Sequence, residues 1–354
     1  MPAVSDIVWS AQKTTPGAIE EALRSMLRQR HTENASYVPA RSLNLVCIVE
    51  KQWSGEIANR LRQVGRAHAA RTVVCAVEPR RTTIDAVATI ASDVHPQPGE
   101  FALLRETVVV DIGEGHLPNL DTIVDPLVVT DLPTLVWSPH GYHDAVDALL
   151  SLAQVMLLDS VDEPDIADAL SRARALLDRV YVVDLAWLRS TPWRERVAAT
   201  FDPAMLRPEL RTMSSVSVRH QPDSTVAALL LVGWLASRLD WRVSPLLPRD
   251  GRLVGYAHAR RQDVAIELEP ARDMQVRGLA GLTLGTASGR ELSLDRGPGG
   301  LQAHYRNAKG DERRWTVLGA SRGEAGILGE GIRAAMLRDP IYAPALAAAS
   351  ALVS

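Results

Sequence analysis

Residues 181–196 read YVVDLAWLRSTPWRER and carry the strongest fold signals in the chain. The short apolar run at residues 181–183 is typical of a strand and leads into Asp184. Two of the eight tryptophans, Trp187 and Trp193, follow close together. The segment has no pattern of a nucleophile or a metal cage. It therefore predicts a rigid aromatic segment, where secondary-structure elements pack together or where a partner docks.

A helix is predicted to begin at Thr191 and Pro192. A threonine hydroxyl can accept from the free N–H groups of a first turn, and the fixed φ of proline suits the first helical position. Glu195 would lie in that turn, where a carboxylate favours the positive end of the helix dipole. The residues that then share one helical face are Trp193, Val197 and Phe201.

The two tryptophans allow two interpretations. In the first, they fill the core of a protein that has only two phenylalanines. In the second, they anchor a protein interface, because tryptophan and arginine are enriched among the residues that dominate binding energy. Burial is not visible in a sequence, so both interpretations stay open at this point.

Length and composition set the class of protein. A chain of 354 residues favours two domains, and 46% apolar with 23% charged residues is ordinary for a globular protein. The net charge of −3 gives no overall attraction to nucleic acid or to an anionic membrane. The longest apolar run, residues 226–236, is about half of the ~20 residues that span a bilayer. With no secretory pattern at the start, we expect a soluble cytoplasmic protein without a nucleic-acid or membrane partner.

The N-terminal half predicts a domain of the α/β class. Apolar runs at residues 42–49 and 71–77 predict buried strands, and residues 54–70 predict a helix that covers them. This order favours a right-handed parallel crossover. Residues 82–92 and 103–112 predict an antiparallel pair added to the parallel strands. The remaining predictions are a loose arm at residues 1–14, a helix from residue 15, a helix at 117–124, a strand at 132–137, a helix from 143 and an ambiguous apolar run at 155–160.

The C-terminal half predicts helices combined with an antiparallel sheet. Residues 162–164 look like the capped start of an amphipathic helix that reaches residue 180. A strand is predicted at residues 214–219, and a buried helix at 226–239 with a cap at Asp223 and Ser224. From residue 253 to 318 the apolar period is two, which predicts an antiparallel meander. Its hairpin turn is RGPGG at 296–300, and helices are predicted at 323–337 and 342–352.

The fold class of the whole chain is therefore α/β, or α+β overall. We divide it into an N-terminal arm and helix (residues 1–36), an N-terminal α/β domain (37–160) and a C-terminal α+β domain (161–354). The glycine-rich residues 278–289 and 329–332 lack the strand–GxGxxG–helix order of a phosphate loop. The first is interpreted as turns of the meander, and the second as part of a helix.

Isolated polar residues give weaker signals. His140 and His143 have no third convergent ligand, so we expect no metal site. Cys47 and Cys75 fall in predicted strands. A thiol switch would require those strands to be neighbours, whereas buried cysteine usually behaves as a small apolar residue.

A cationic group follows the helix predicted at residues 54–70. His68 and Arg71 would bind an anion such as a sugar phosphate, with Arg80 as a further cation. The interpretation we favour is that His68 or Arg71 caps the carbonyl groups at the end of the helix. We expect no catalytic residue, cofactor or metal.

Residues 184–194, DLAWLRSTPWR, resemble the central signature of the OpcA family, the glucose-6-phosphate dehydrogenase assembly proteins of bacteria. Residues 43–50, LNLVCIVE, are similar to the first strand of that family, and residues 224–241 to its buried C-terminal helix. Two segments depart from the family pattern. Ala69 and Ala70 replace the centre of a His-Pro-Ser-Arg motif, and TLVWSPHG at 134–141 replaces a Trp-Trp-Pro-Gly turn.

The resemblance implies a non-catalytic protein that binds glucose-6-phosphate dehydrogenase. Acting as an allosteric activator, it would promote the active oligomer and so support the oxidative pentose phosphate pathway and NADPH supply. The expected docking or structural core is Asp184, Trp187, Arg189, Thr191, Pro192, Trp193 and Arg194. The alternative is a sugar-phosphate-binding sensor or enzyme that uses the N-terminal α/β domain near His68, Arg71 and Arg80.

Overall fold

A computed structural model describes residues 6–39, 41–65, 70–92, 100–260, 262–318 and 323–353. The chain divides into two compact units. Unit 1 runs up to Leu158 and includes Arg179–Val183, whereas unit 2 contains Asp159–Asp178 and the chain from Asp184 onward. Within the described residues, no helix has both the length and the apolar character needed to cross a bilayer.

Unit 1 is organised on a mixed sheet. Its strands are β1 (Ile7–Ala11), β2 (Tyr37–Pro39), β3 (Leu43–Glu50), β4 (Ala70–Glu78), β5 (Asp85–Ser92), β6 (Ala102–Gly113), β7 (Thr134–Trp137), β8 (Val155–Leu158) and β9 (Tyr181–Asp184). Its helices are α1 (Pro16–Glu33), α2 (Ser54–Gly65), α3 (Asp121–Val124) and α4 (His143–Leu149). The strand order is β1-β5-β6-β4-β3-β7-β8-β9, and β2 pairs with β6.

The predicted parallel pairing of the two strands and the predicted antiparallel pair are both confirmed. Strands β3 and β4 are parallel neighbours, with Leu43 opposite Ala70, and α2 connects them in sequence. Strand β6 lies parallel to β4 and antiparallel to β5. Seven of the eight β3 residues are buried, and all of them except Asn44 are apolar, as is usual for a strand covered on both faces.

Two local predictions in unit 1 were wrong. The supposed loose arm contains β1, which pairs antiparallel with β5; a five-residue edge strand is too short to show a periodic signal. The single helix predicted at residues 117–124 is a 3₁₀ segment, Glu114–Asn119, followed by α3. Pro118 lies in the 3₁₀ segment, and proline interrupts the hydrogen bonding of an α-helix interior. The ambiguous run at 155–160 begins with strand β8.

Unit 2 combines helices with a second mixed sheet. Its helices are α5 (Ile166–Leu177), α6 (Leu185–Arg189), α7 (Thr191–Phe201), α8 (Thr225–Leu239), α9 (Gly323–Ala334) and α10 (Tyr342–Ser350). Its strands are β10 (Met213–His220), β11 (Arg242–Val243), β12 (Leu247–Arg249), β13 (Arg252–His258), β14 (Asp263–Pro270), β15 (Leu279–Thr286), β16 (Glu291–Gly297), β17 (Gly300–Arg306) and β18 (Glu312–Leu318).

The predicted meander is interrupted by one insertion. The order is β11-β13-β14-β10-β15-β16-β17-β18, with β12 beside β13. Strand β10 separates β14 from β15 and lies parallel to β14, so a wholly antiparallel meander was wrong at this point. The glycine-rich residues 278–289 were expected to form turns, yet most of them form strand β15. The hairpin predicted at 296–300 is confirmed, since Gly297 pairs with Gly300.

Helix α8 forms the apolar centre of unit 2. Its residues from Val226 to Ala236 are all buried, as expected for a helix that is apolar on every side. Gly233 permits close contact with α10, because a Cβ there would lie 2.3 Å from the carbonyl oxygen of Ala345. Ser224 is the N-cap position of α8, as predicted, but its side chain makes no cap bond. Its hydroxyl instead accepts from the Gly278 N–H at 2.9 Å.

Candidate functional site

The signature residues 184–194 lie in unit 2 and span the end of β9, all of α6 and the start of α7. Asp184 is the N-cap of α6, and its Oδ1 accepts from the Ala186 N–H at 2.9 Å. This contact satisfies one of the N–H groups that every helix start leaves unpaired. The change from strand to helix is therefore fixed by one buried carboxylate.

The Asp184 carboxylate also binds two hydroxyl groups. Ser160 donates to Oδ2 at 2.6 Å, and the Tyr342 phenol donates to the same oxygen at 2.9 Å. Asp184 is only 1% exposed. Burial, followed by the charge of Asp159, raises the pKa of Asp184 to about 6. The carboxylate thus connects residue 160, the start of α6 and the start of α10 within unit 2.

Arg189 forms a bidentate ion pair with Asp159. Its Nη1 and Nη2 donate to the two carboxylate oxygens at 2.8 and 2.7 Å, and both side chains are 4% exposed. Arg277 extends this cluster by donating to Asp162 at 2.5 Å. Burial and the charge of Asp159 raise the pKa of Asp162 to about 6, although Arg277 acts in the opposite direction.

Trp187 and Arg194 form a second, adjacent group. The Arg194 guanidinium carbon lies 3.5 Å from the centre of the Trp187 ring, a cation–π contact. The indole N–H of Trp187 donates to Asp339 at 2.7 Å. Arg194 donates to the Ser190 hydroxyl at 3.0 Å and to the Thr191 hydroxyl at 2.9 Å. Burial lowers the pKa of Arg194 to about 10.

The predicted face of α7 is confirmed, but its predicted cap is wrong. Trp193 is 1% exposed, and the other two residues of the face, Val197 and Phe201, are 2% exposed. Ser190, not Thr191, is the N-cap position, and it makes no side-chain cap bond, because its hydroxyl donates to the Trp187 carbonyl at 2.7 Å and accepts from Arg194. Pro192 lies in the first turn, as predicted. The N-cap predicted for α5 at residue 162 is instead Asp165, which accepts from the Asp168 N–H.

Burial decides what the signature can do chemically. Of the seven residues predicted as its docking or structural core, five are buried (Asp184, Trp187, Arg189, Trp193 and Arg194), while Thr191 and Pro192 are half-buried. The described polar contacts of these side chains are made with other residues of unit 2. This arrangement favours a structural core over a surface that meets a partner directly. Sequence reasoning missed the partners of the signature: Asp159, Ser160, Arg277, Asp339 and Tyr342.

The predicted anion site is not brought together by the structure. His68 lies outside the described residues. Arg71 is buried, and its guanidinium donates to Glu106 at 2.9 Å, Glu20 at 3.1 Å and a backbone carbonyl. Arg80 is exposed just beyond the other end of β4. The two arginines are thus separated by a strand of nine residues, roughly 30 Å long at ~3.3 Å per residue.

The remaining polar candidates have structural contacts. The Glu50 N–H donates to Nδ1 of His140 at 3.0 Å, and the described residues contain no group of three side chains suited to a metal ion. Strands β3 and β4 are neighbours, but Cys75 pairs with Ile48, so its side chain and that of Cys47 point to opposite faces. Burial raises the pKa of Cys75 to about 12, which keeps its thiol protonated.

Two family models match the chain in order. Residues 62–175 match a model described as the N-terminal domain of a glucose-6-phosphate dehydrogenase subunit, OpcA. Residues 180–346 match the corresponding C-terminal domain, whose range contains the signature. The chain belongs to the OpcA family.

Curated relatives agree with this assignment over part of their length. The OpcA protein of Synechocystis, named as a candidate OxPP cycle protein, is 31% identical over 40% of this chain and 30% of the relative. Its namesake in Synechococcus elongatus is 29% identical over 51% of this chain and 40% of the relative. The matches thus span less than half of the length of these relatives.

Among solved structures, the Bacillus subtilis protein yvaA aligns with 88% of this OpcA-family chain and 95% of its own chain, with 10% identity and a TM-score of 0.48.

Proposed function

We propose that this chain is a non-catalytic assembly factor that binds glucose-6-phosphate dehydrogenase and favours its active oligomer. The observation that supports the proposal is the consecutive match of both domains of one glucose-6-phosphate dehydrogenase subunit family along a single chain. Greater activity of the enzyme would raise NADPH supply through the oxidative pentose phosphate pathway.

The physical basis of activation is linkage between binding and assembly. A protein that binds the active oligomer more tightly than the inactive form shifts the population by the ratio of the two affinities, and by no more. No bond has to be made or broken by the activator. A tenfold preference corresponds to about 1.4 kcal/mol, a difference that a few interface contacts supply.

The buried signature has a structural role in this proposal. The Asp184 contacts and the Arg189–Asp159 pair stabilise unit 2, so that its surface keeps one shape. The residues that contact glucose-6-phosphate dehydrogenase are then exposed residues elsewhere on the chain. The buried, carboxylate-bound state of Arg71 gives the sugar-phosphate alternative no support, because an anion there would have to displace Glu106 and Glu20.

The deciding assay follows NADPH formation by purified glucose-6-phosphate dehydrogenase as this chain is added. We expect the rate at fixed enzyme to rise and then saturate, with a matching change in substrate affinity or oligomer size. The control is the chain with substrate and NADP⁺ but no enzyme, which we expect to form no NADPH. If a saturating concentration of the chain left the rate, the substrate affinity and the oligomer size of the enzyme unchanged, the proposal would be refuted.

A further inference from the structure

The outward face of the unit 2 sheet carries an unusual set of side chains. In the five strands β14, β10, β15, β16 and β17 one set of alternate residues is buried, for example Val216, Val218, Leu282 and Leu284. The opposite set is half-exposed or exposed, except for the buried glycines Gly281 and Gly300. Aligned across seven strands by their pairing, its middle row is Val254, Glu267, Ser217, Thr283, Ser293, His304 and Arg314. The row on one side contains Ala265, Ser215, Gly285 and Glu291, and the row on the other contains Arg219, Gly281 and Asp295.

On this face the residues of β15 are small and uncharged, as are Ser217 and Ser293 beside Thr283, and the charged residues begin with Arg219, Glu291 and Asp295 on the two neighbouring strands. The exposed faces of antiparallel sheets are usually polar, and serine and glycine are poor strand formers. The two glycines at the centre make room for side chains of the same sheet, because a Cβ at Gly281 would lie 2.5 Å from the Arg219 guanidinium and one at Gly285 would lie 2.5 Å from the Ser215 hydroxyl. A centre depleted of charge inside a polar rim is also the usual composition of a protein interface.

Arg219, one of the three charged residues next to the centre, extends along the surface of the sheet. A Cβ at Gly281 would stand 2.5 Å from its guanidinium, so the arginine extends across that glycine to bind Asp295. On the neighbouring strands, the Thr283 and Ser293 hydroxyls are 3.2 Å apart and bond to each other. The result is a level surface that a second flat surface can approach.

We infer that this face joins two copies of the chain, with a two-fold axis running along β15. Such an axis places β10 of one copy over β16 of the other, β14 over β17, and β13 over β18. Thr283 then meets Thr283. Ser217 meets Ser293, Arg219 meets Asp295, and Glu267 meets His304.

The alternative axis, across the strands, is disfavoured by charge. It would place each strand over its own copy, so that Glu267 met Glu267 and Arg314 met Arg314. Like charges placed against each other in an interface are destabilising. The axis along β15 avoids these contacts, and it opposes the carboxylate-rich strand β14 to the strand that carries His304 and Arg306.

The available area reaches the lower end of the size range of stable interfaces. Seven strands about 4.8 Å apart, with three rows of outward side chains, offer a surface on the order of 600 Å² per copy. Stable interfaces bury about 800 Å² per partner, so face-to-face packing of the two sheets, ~10 Å apart, approaches that size before the margins are counted.

The first test is sedimentation velocity of the full chain over a range of concentrations. We expect the wild type to sediment as a dimer of twice its 38.5 kDa mass. Thr283→Arg sets two arginines against each other at the axis and should raise the dimer dissociation constant by roughly 100-fold or more. The matched control is Ser171→Arg, an exposed serine of α5 away from the sheet, which should remain dimeric. Circular dichroism checks that each variant is folded.

The second test remains valid if Thr283→Arg fails to fold. Thr283→Cys should be cross-linked to itself by a short bis-maleimide, whereas Ser171→Cys should not, and the natural thiols Cys47 and Cys75 are buried. A wild type that stays monomeric at every concentration, or a dimer that survives Thr283→Arg, overturns the inference. A monomer whose binding to glucose-6-phosphate dehydrogenase is abolished by Thr283→Arg would also overturn it, by assigning the face to that enzyme.

Discussion

Trp193 gives the most direct test of the signature as a structural core. Its side chain is 1% exposed within unit 2. Burial of a tryptophan removes roughly 200 Å² from water, which is worth about 5 kcal/mol at ~25 cal/mol per Å². Substitution of buried aromatic residues by alanine costs about 3–5 kcal/mol. We therefore expect Trp193→Ala to lower the free energy of unfolding by at least about 3 kcal/mol.

The assay is urea unfolding followed by far-UV circular dichroism, which does not depend on tryptophan emission. With a denaturant slope of about 3 kcal/mol per molar, the transition of unit 2 should move down by about 1 M or more. The control is Trp53→Ala, because Trp53 is 46% exposed and should change the midpoint little. A Trp193→Ala midpoint equal to that of the wild type, combined with loss of enzyme activation, would refute the core interpretation in favour of an interface.

Three further predictions concern buried ionisable groups. Arg189→Met should lower the free energy of unfolding by about 3–5 kcal/mol, because it leaves Asp159 buried without its main partner. In urea unfolding, the double variant Arg189→Met with Asp159→Asn should recover much of that loss. A double variant as unstable as Arg189→Met alone would contradict this. The pKa of Asp184 is raised to about 6 when folded, so the folded state binds that proton more tightly. Its contribution to stability should therefore increase as pH falls from 7 towards 4. Asp184→Asn should remove this part of the pH slope, and identical slopes would count against it. Cys47 and Cys75 are buried with raised pKa values, so a thiol reagent should label them only after unfolding, and rapid labelling of the native chain would show otherwise.

Local patterns in the sequence predicted most individual elements. The apolar runs of β3 and β4, the helix between them and the all-apolar helix α8 are determined by short-range periodicity and burial. The shared face of Trp193, Val197 and Phe201 was predicted for the same reason. These features depend only on residues close together in the chain.

Long-range pairing could not be predicted in the same way. A period-two strand looks the same whether its neighbours are parallel or antiparallel, so the insertion of β10 between β14 and β15 left no local sign. The Asp184 carboxylate is bound by Tyr342, 158 residues away, and no spacing rule connects them. The prediction of turns at residues 278–289 was wrong because glycine is usually a turn residue, whereas the glycines of β15 lie on the outward face of a central strand.

The proposed role of this chain is to hold glucose-6-phosphate dehydrogenase in its active oligomer. The most direct measurement is the mass distribution of the purified enzyme, diluted until its oligomer partly dissociates, with and without the chain. We predict that the chain joins the complex and that the larger oligomer grows at the expense of the smaller, in step with activity. If the mass distribution of the enzyme were the same with a saturating concentration of the chain as without it, the proposed role would be contradicted.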